Sequence, residues 1–120
     1  MVKRVRLQYP PIPPWAAVAM EAALQSVEIR PPTPPLVANV EASAVAEPEA
    51  IRSDLVAQVT GTVRWRESVA YMSAHGVTRF IELGAGKVLT GLIKRIVEGA
   101  TAISIGAPAD VAAFSASAKP

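Results

Sequence analysis

The chain has 120 residues, 51% of them hydrophobic and 18% charged, enough for one domain with a modest core and too apolar to stay disordered. Its net charge is only +2, and apart from Lys3, Arg4 and Arg6 the twelve Lys and Arg are spread along the chain with acidic residues between them, which argues against a nucleic-acid binder. With no cysteine and one histidine, disulfides, thiolate chemistry and a His-rich metal site are excluded and no metal is expected; with no apolar run near bilayer length and no signal-peptide core, the expected location is the cytoplasm.

Eleven prolines divide the sequence. Pro10, Pro11, Pro13 and Pro14 crowd one stretch, and Pro31, Pro32, Pro34 and Pro35 another; neither can feed a helix or sheet ladder, so both predict extended backbone. Residues 1–19 read as a Pro-rich irregular arm. Residues 15–27, rich in Ala, Met, Glu and Leu, predict a helix. LVANV at 36–40 is apolar, partly β-branched and bounded by proline and charge, which predicts a buried strand. Pro48 suits a helix start, Ile51, Leu55 and Val59 supply one apolar stripe, and Gly61 is the expected stop.

A second helix is expected over 64–76, with Trp65, Val69 and Met72 inward, Arg66 and Glu67 outward, and Gly76 as its cap. TRFIEL at 78–83 predicts a strand that Gly84-Ala85-Gly86 turns into a further helix. On that helix Val88, Leu89, Leu92, Ile93, Ile96 and Val97 form a broad apolar face. Residues 102–105 predict another strand and 109–114 a last helix, with SASAKP as a frayed tail. Strands alternating with helices define an α/β class, a partial parallel sheet with flanking helices. Three strands are few for a sheet that needs cover on both faces, so the expected object is a piece of a larger α/β domain.

Each candidate for chemistry meets a plainer reading. Gly84-Ala85-Gly86-Lys87 stands between a strand and a helix, where free amides attract anions. It is not a P-loop, and Leu89 replaces the third glycine of G-x-G-x-x-G, so a tight conformational turn is preferred. Lys87, Lys94 and Arg95 are then a solvated edge or a weak patch for an acidic partner. His75 precedes the capping Gly76, where a cation suits a helix C-terminus. No serine stands on a G-x-S-x-G elbow for it to activate. Asn39 and Gln58 are amides in apolar settings, where structural hydrogen bonds are the expected role. Glu47 and Glu49 flank Pro48 in a dipole position at a helix start.

The words PPLVANV, LVAQVTGTVRW, ESVAYMSAHGV and GAGKVLTGLIKRI, in this order, resemble the C-terminal part of the malonyl-CoA:acyl-carrier-protein transacylases of bacterial fatty-acid synthesis, over residues 20–114. The resemblance implies an α/β-hydrolase-like acyltransferase core, with 20–120 its C-terminal part. It implies ping-pong malonyl transfer from malonyl-CoA to the phosphopantetheine thiol of acyl carrier protein, with no cofactor. A serine in a G-H-S-x-G elbow attacks, a histidine is its base, an arginine pairs with the malonyl carboxylate, and backbone amides hold the oxyanion. Gln58 falls on the glutamine whose main-chain carbonyl supports the base; Asn39 lies in a strand word near the active-site floor and receives no chemical step. With acyl carrier protein as the implied partner, Lys87, Lys94 and Arg95 are the candidates for docking it.

Neither the elbow serine nor the malonyl-binding arginine has a match in this chain. The base belongs in a word like S-x-P-[FS]-H after a K-R pair. Here Lys3-Arg4 leads into a proline-heavy run without histidine, as an out-of-frame stretch would. The expectation is an acyltransferase segment inactive by itself. The alternative from another class is a small non-catalytic carrier-protein-binding or scaffold module.

Overall fold

A proline at the first helical position, followed by strong helix formers, gives α1, Pro14–Gln25. The computed structural model describes residues 12–117; residues 1–11 of the proline-rich arm lie outside them. α1 is the helix expected over 15–27, and it places residues 14–19, also read as the end of the irregular arm, in regular structure, because proline at a helix start gives up an amide that would have no partner there. The chain forms two compact units, Met1–Arg64 and Trp65–Pro120.

In the first unit β1, Leu36–Val37, pairs antiparallel with β2, Ala44–Val45, placing Leu36 opposite Val45. This corrects the reading of LVANV as one buried strand with parallel neighbours. Pairing stops at Val37. The Ala38 N–H donates to the Ser43 carbonyl (3.2 Å) and the Ala38 carbonyl accepts from the Ala42 N–H (2.8 Å), so the chain reverses at once. A connection this short can join only antiparallel strands.

Pro48 then opens α2, Pro48–Thr60, with Glu49 in its first turn. Ile51 is buried and Leu55 and Val59 are half-buried, the stripe expected from their spacing. Gly61 ends the helix, its N–H on the Ala57 carbonyl at 2.9 Å. α1 packs along α2. The last turn of α1 holds no basic residue, and Arg52 of α2 takes that part. Its Nη1 donates to the Leu24 carbonyl and its Nη2 to the Val27 carbonyl (3.0 Å). A cation thus satisfies a helix C-terminus from a neighbouring helix.

The second unit begins with α3, Trp65–Ala74, which ends in a Schellman motif. The Val77 N–H reaches the Met72 carbonyl (3.0 Å) and the Gly76 N–H the Ser73 carbonyl (3.1 Å), with Gly76 at φ 90°. β3, Arg79–Leu83, runs through α4, Val88–Ile96, into β4, Thr101–Ile105, and the two strands pair in parallel with Phe80 opposite Ala102. α5, Pro108–Ser117, packs on β4. The core joins Val69, Phe80, Ile93 and Ala102, one residue from each of α3, β3, α4 and β4, with Trp65, Met72, Ile96 and Val97 against it. This β-α-β unit with helices around it is the α/β architecture the alternation predicts.

The broad apolar face expected on α4 divides. Ile93, Ile96 and Val97 join the core, whereas Val88 is 72% exposed and Leu89 and Leu92 are also exposed. On β3, Leu83 is 77% exposed, two residues beyond the exposed Ile81 on the same face. Among the described residues no helix is long and apolar enough to cross a membrane.

Candidate functional site

The turn from β3 into α4 has Gly84 at φ 124° and Gly86 at φ 92°, left-handed values that glycine alone tolerates easily. Two amides of the helix it opens are already taken from within the chain. Glu82, at the end of β3, reaches across and accepts from the Leu89 N–H (3.2 Å), the Thr90 N–H (2.8 Å) and the Thr90 hydroxyl (2.7 Å). Those bonds hold the Glu82 carboxyl below its usual range, the Thr90 hydroxyl contributing most. An incoming phosphate would have to displace a carboxylate already in place. The positive φ values support the conformational reading of the glycines, and the phosphate reading loses two of its helix-start donors.

At the start of α5 the arrangement is reversed, a carboxylate of the first turn reaching back to the amides before the helix. The Gly106 and Ala107 N–H groups donate to Asp110 Oδ2, each at 3.0 Å, and lower the Asp110 pKa, with the charge of Lys87 adding to the effect. Both capping carboxylates went unnoticed in the sequence. Asp110 carries a local signal, an acid three residues after a helix-start position. Glu82 carries none, since its partners lie seven and eight residues on and across a strand-to-helix turn.

Lys87 is exposed at the N-terminal boundary of α4, and Lys94 and Arg95 are exposed in its last turn. Lys87 and Lys94 lie two helical turns apart and share a side of the helix; Arg95 is rotated from them. His75 is exposed at the end of α3, its ring stacked on Tyr71 with centroids 4.0 Å apart and its Nδ1 2.7 Å from the Tyr71 carbonyl oxygen. A helix-end role accounts for it. No group of three or more His, Asp or Glu among the described residues is placed to hold a metal ion.

In the other unit, the Asn39 Nδ2 donates to the Gln58 Oε1 at 3.2 Å, both residues being half-buried. The two amides singled out in the sequence are thus each other's partner. Asn39 also accepts, through its main-chain oxygen, the Arg64 N–H at 3.0 Å. Gln58 lies in the last turn of α2, where the Ala57 carbonyl takes the Gly61 N–H and the carbonyls that follow have run out of helix donors. Two open cavities lie elsewhere: about 240 Å³ between β4 and α5, lined by Ile103, Ile105 and Phe114, and about 360 Å³ beside α2, lined by Glu21 and Arg52. Neither includes Gln58, Lys87, Lys94 or Arg95.

No family model matches the chain. Its sequence is 43% identical over 98 residues to the malonyl CoA-acyl carrier protein transacylase of Escherichia coli K12, covering 82% of this chain and 32% of that protein. Its fold superposes with a TM-score of 0.78 on the acyl-carrier-protein S-malonyltransferase of Bartonella henselae, at 46% identity, over 84% of this chain and 32% of that one. A malonyl-transacylase solved in complex with its type II PKS acyl-carrier protein also matches, at TM-score 0.75 and 37% identity, over 82% of this chain and 32% of that one. The fold is thus a segment of an α/β acyltransferase. The chain belongs to the malonyl CoA-acyl carrier protein transacylase family and spans about a third of the length of the relatives it matches.

Proposed function

We propose that residues 20–120 are the C-terminal part of a malonyl-CoA:acyl-carrier-protein transacylase, a cytoplasmic enzyme of fatty-acid synthesis, and that these 120 residues alone do not catalyse the transfer. The observation that carries this reading is the joint match in sequence, 43% identity over 98 residues, and in fold, TM-score 0.78. In the complete enzyme a serine hydroxyl attacks the malonyl thioester, coenzyme A leaves as the thiol, and the phosphopantetheine thiol of the carrier protein then takes the malonyl group. A histidine moves the protons and donor groups hold the oxyanion. This chain supplies neither the nucleophile nor the base; no metal and no cofactor enters.

Its contribution is the main-chain carbonyl of Gln58. As a last-turn helix carbonyl it can accept from an imidazole N–H, fixing the tautomer of the base and favouring its protonated form. Lys87, Lys94 and Arg95, exposed around α4, are assigned to docking of acyl carrier protein. The relative solved with its carrier protein supports that partner. Residues 1–19 are assigned to a stretch outside the family segment, residues 14–19 of it belonging to α1.

The reading is tested by incubating the 120-residue chain with malonyl-CoA and acyl carrier protein, with intact mass spectrometry as the readout. No malonyl-carrier product and no acyl adduct on the chain are expected. An adduct on any of its serines would overturn the reading.

A further inference from the structure

We infer that Asn39 is a positioning residue for the transacylase reaction, setting the Gln58 carbonyl through its side-chain amide. This rests on the reading of Gln58 above and adds a residue to it. The last turn of α2 is fixed at its outer end by contacts that converge from the segment after β1. Asn39 Nδ2 holds the Gln58 side chain at 3.2 Å, and the Asn39 carbonyl holds the Arg64 N–H at 3.0 Å. One residue therefore grips the chain on both sides of Gly61. The same bend has no room for a side chain: a Cβ added at Gly61 would meet Val40 Cγ1 at 3.2 Å and the Ala57 carbonyl oxygen at 2.7 Å.

The carbonyls of such a turn would otherwise be free to tilt. Unsatisfied last-turn carbonyls bend toward water, and helix ends fray into tighter 3₁₀ turns. A side-chain bond spanning nineteen residues removes that freedom. A bond between two half-buried amides also avoids leaving either one unpaired. If the carbonyl of Gln58 is to orient a base, the group that holds Gln58 still governs how well it does so. A displacement near 1 Å can cost a rate factor of about a hundred.

The test uses the E. coli transacylase carrying residues 20–117 of this chain in place of its own matching segment. Asn39→Leu, nearly isosteric and without a donor, should lower kcat about tenfold while KM for malonyl-CoA stays within about twofold. The acid limb of the kcat/KM pH profile should move to lower pH, because a misplaced carbonyl stabilises the imidazolium less. Gln58→Leu removes the same bond from the other side and keeps the main-chain carbonyl. It should act like Asn39→Leu, and the double variant should be no worse than either single one. Asn39→Gln, which keeps a donor, should recover most of kcat.

An Asn39→Leu enzyme that melts earlier but keeps its kcat and its acid limb would reduce the bond to a structural clip and overturn the inference. Additive effects of the two leucine variants would overturn it as well. A chimera that is folded by circular dichroism yet transfers no malonyl group before any substitution would fail at the earlier step, refuting the family role of the segment and this inference with it.

Discussion

The pairing of β3 with β4 ends in a backbone contact so close that one methyl group decides its stability. A Cβ added at Gly106 would lie 2.8 Å from the Gly84 carbonyl oxygen, roughly 0.6 Å short of ordinary contact. That oxygen belongs to main chain and cannot rotate aside. The Gly84 N–H is itself bonded to the Ile105 carbonyl at 3.0 Å, so moving Gly84 away strains the last rung of the ladder. Overpacking of this kind costs about 1–3 kcal/mol. In a small domain, where each kcal/mol shifts Tm by about 4–8 °C, Gly106→Ala should lower Tm by roughly 5–20 °C. Gly91→Ala is the matched control. It lies inside α4 with nothing within 4 Å of the added methyl, and alanine there gains about 1 kcal/mol of helix propensity. The two substitutions are chemically the same and should have opposite signs. Thermal melts by far-UV circular dichroism and urea midpoints at constant m-value measure both. A Gly106→Ala chain that melts at or above the parent, or a Gly91→Ala chain that melts below it, would refute the reasoning.

The cap on α4 has a pH signature. The folded-state pKa of Glu82 is depressed, so its contribution to stability is present above the unfolded carboxylate pKa, about 4, and is lost as pH falls through the folded value. Tm should therefore fall on acidification below that pH, and Glu82→Gln should flatten the fall; parallel melts between about pH 2 and 7 measure it, and identical slopes would remove the cap from the account. Val69 has no exposed surface at the centre of the second unit's core. Val69→Ala deletes two carbons and opens a cavity, which should cost about 2–3 kcal/mol in urea unfolding, and a loss under about 0.5 kcal/mol would mean that this core is not packed as described.

Where a signal sits within a few residues of the feature it encodes, the chain alone determined the outcome. Pro48 and Gly61 bounded α2, Gly76 capped α3, and the spacing of Trp65, Val69 and Met72 named the face that α3 buries. The words from PPLVANV to GAGKVLTGLIKRI carried the family, because that match depends on order and spacing and not on contacts. Tertiary structure decided what depends on a distant partner. It turned the LVANV run into a two-residue antiparallel strand, since the turn at 38–43 returns the chain before a longer strand can form. It chose which part of the apolar face of α4 to bury, because Val69 and Phe80 reach Ile93 and not Val88. It also joined Asn39 to Gln58 and Glu82 to Thr90. A polar side chain announces that it needs a partner, but its own neighbours in sequence cannot say which one the fold will bring to it.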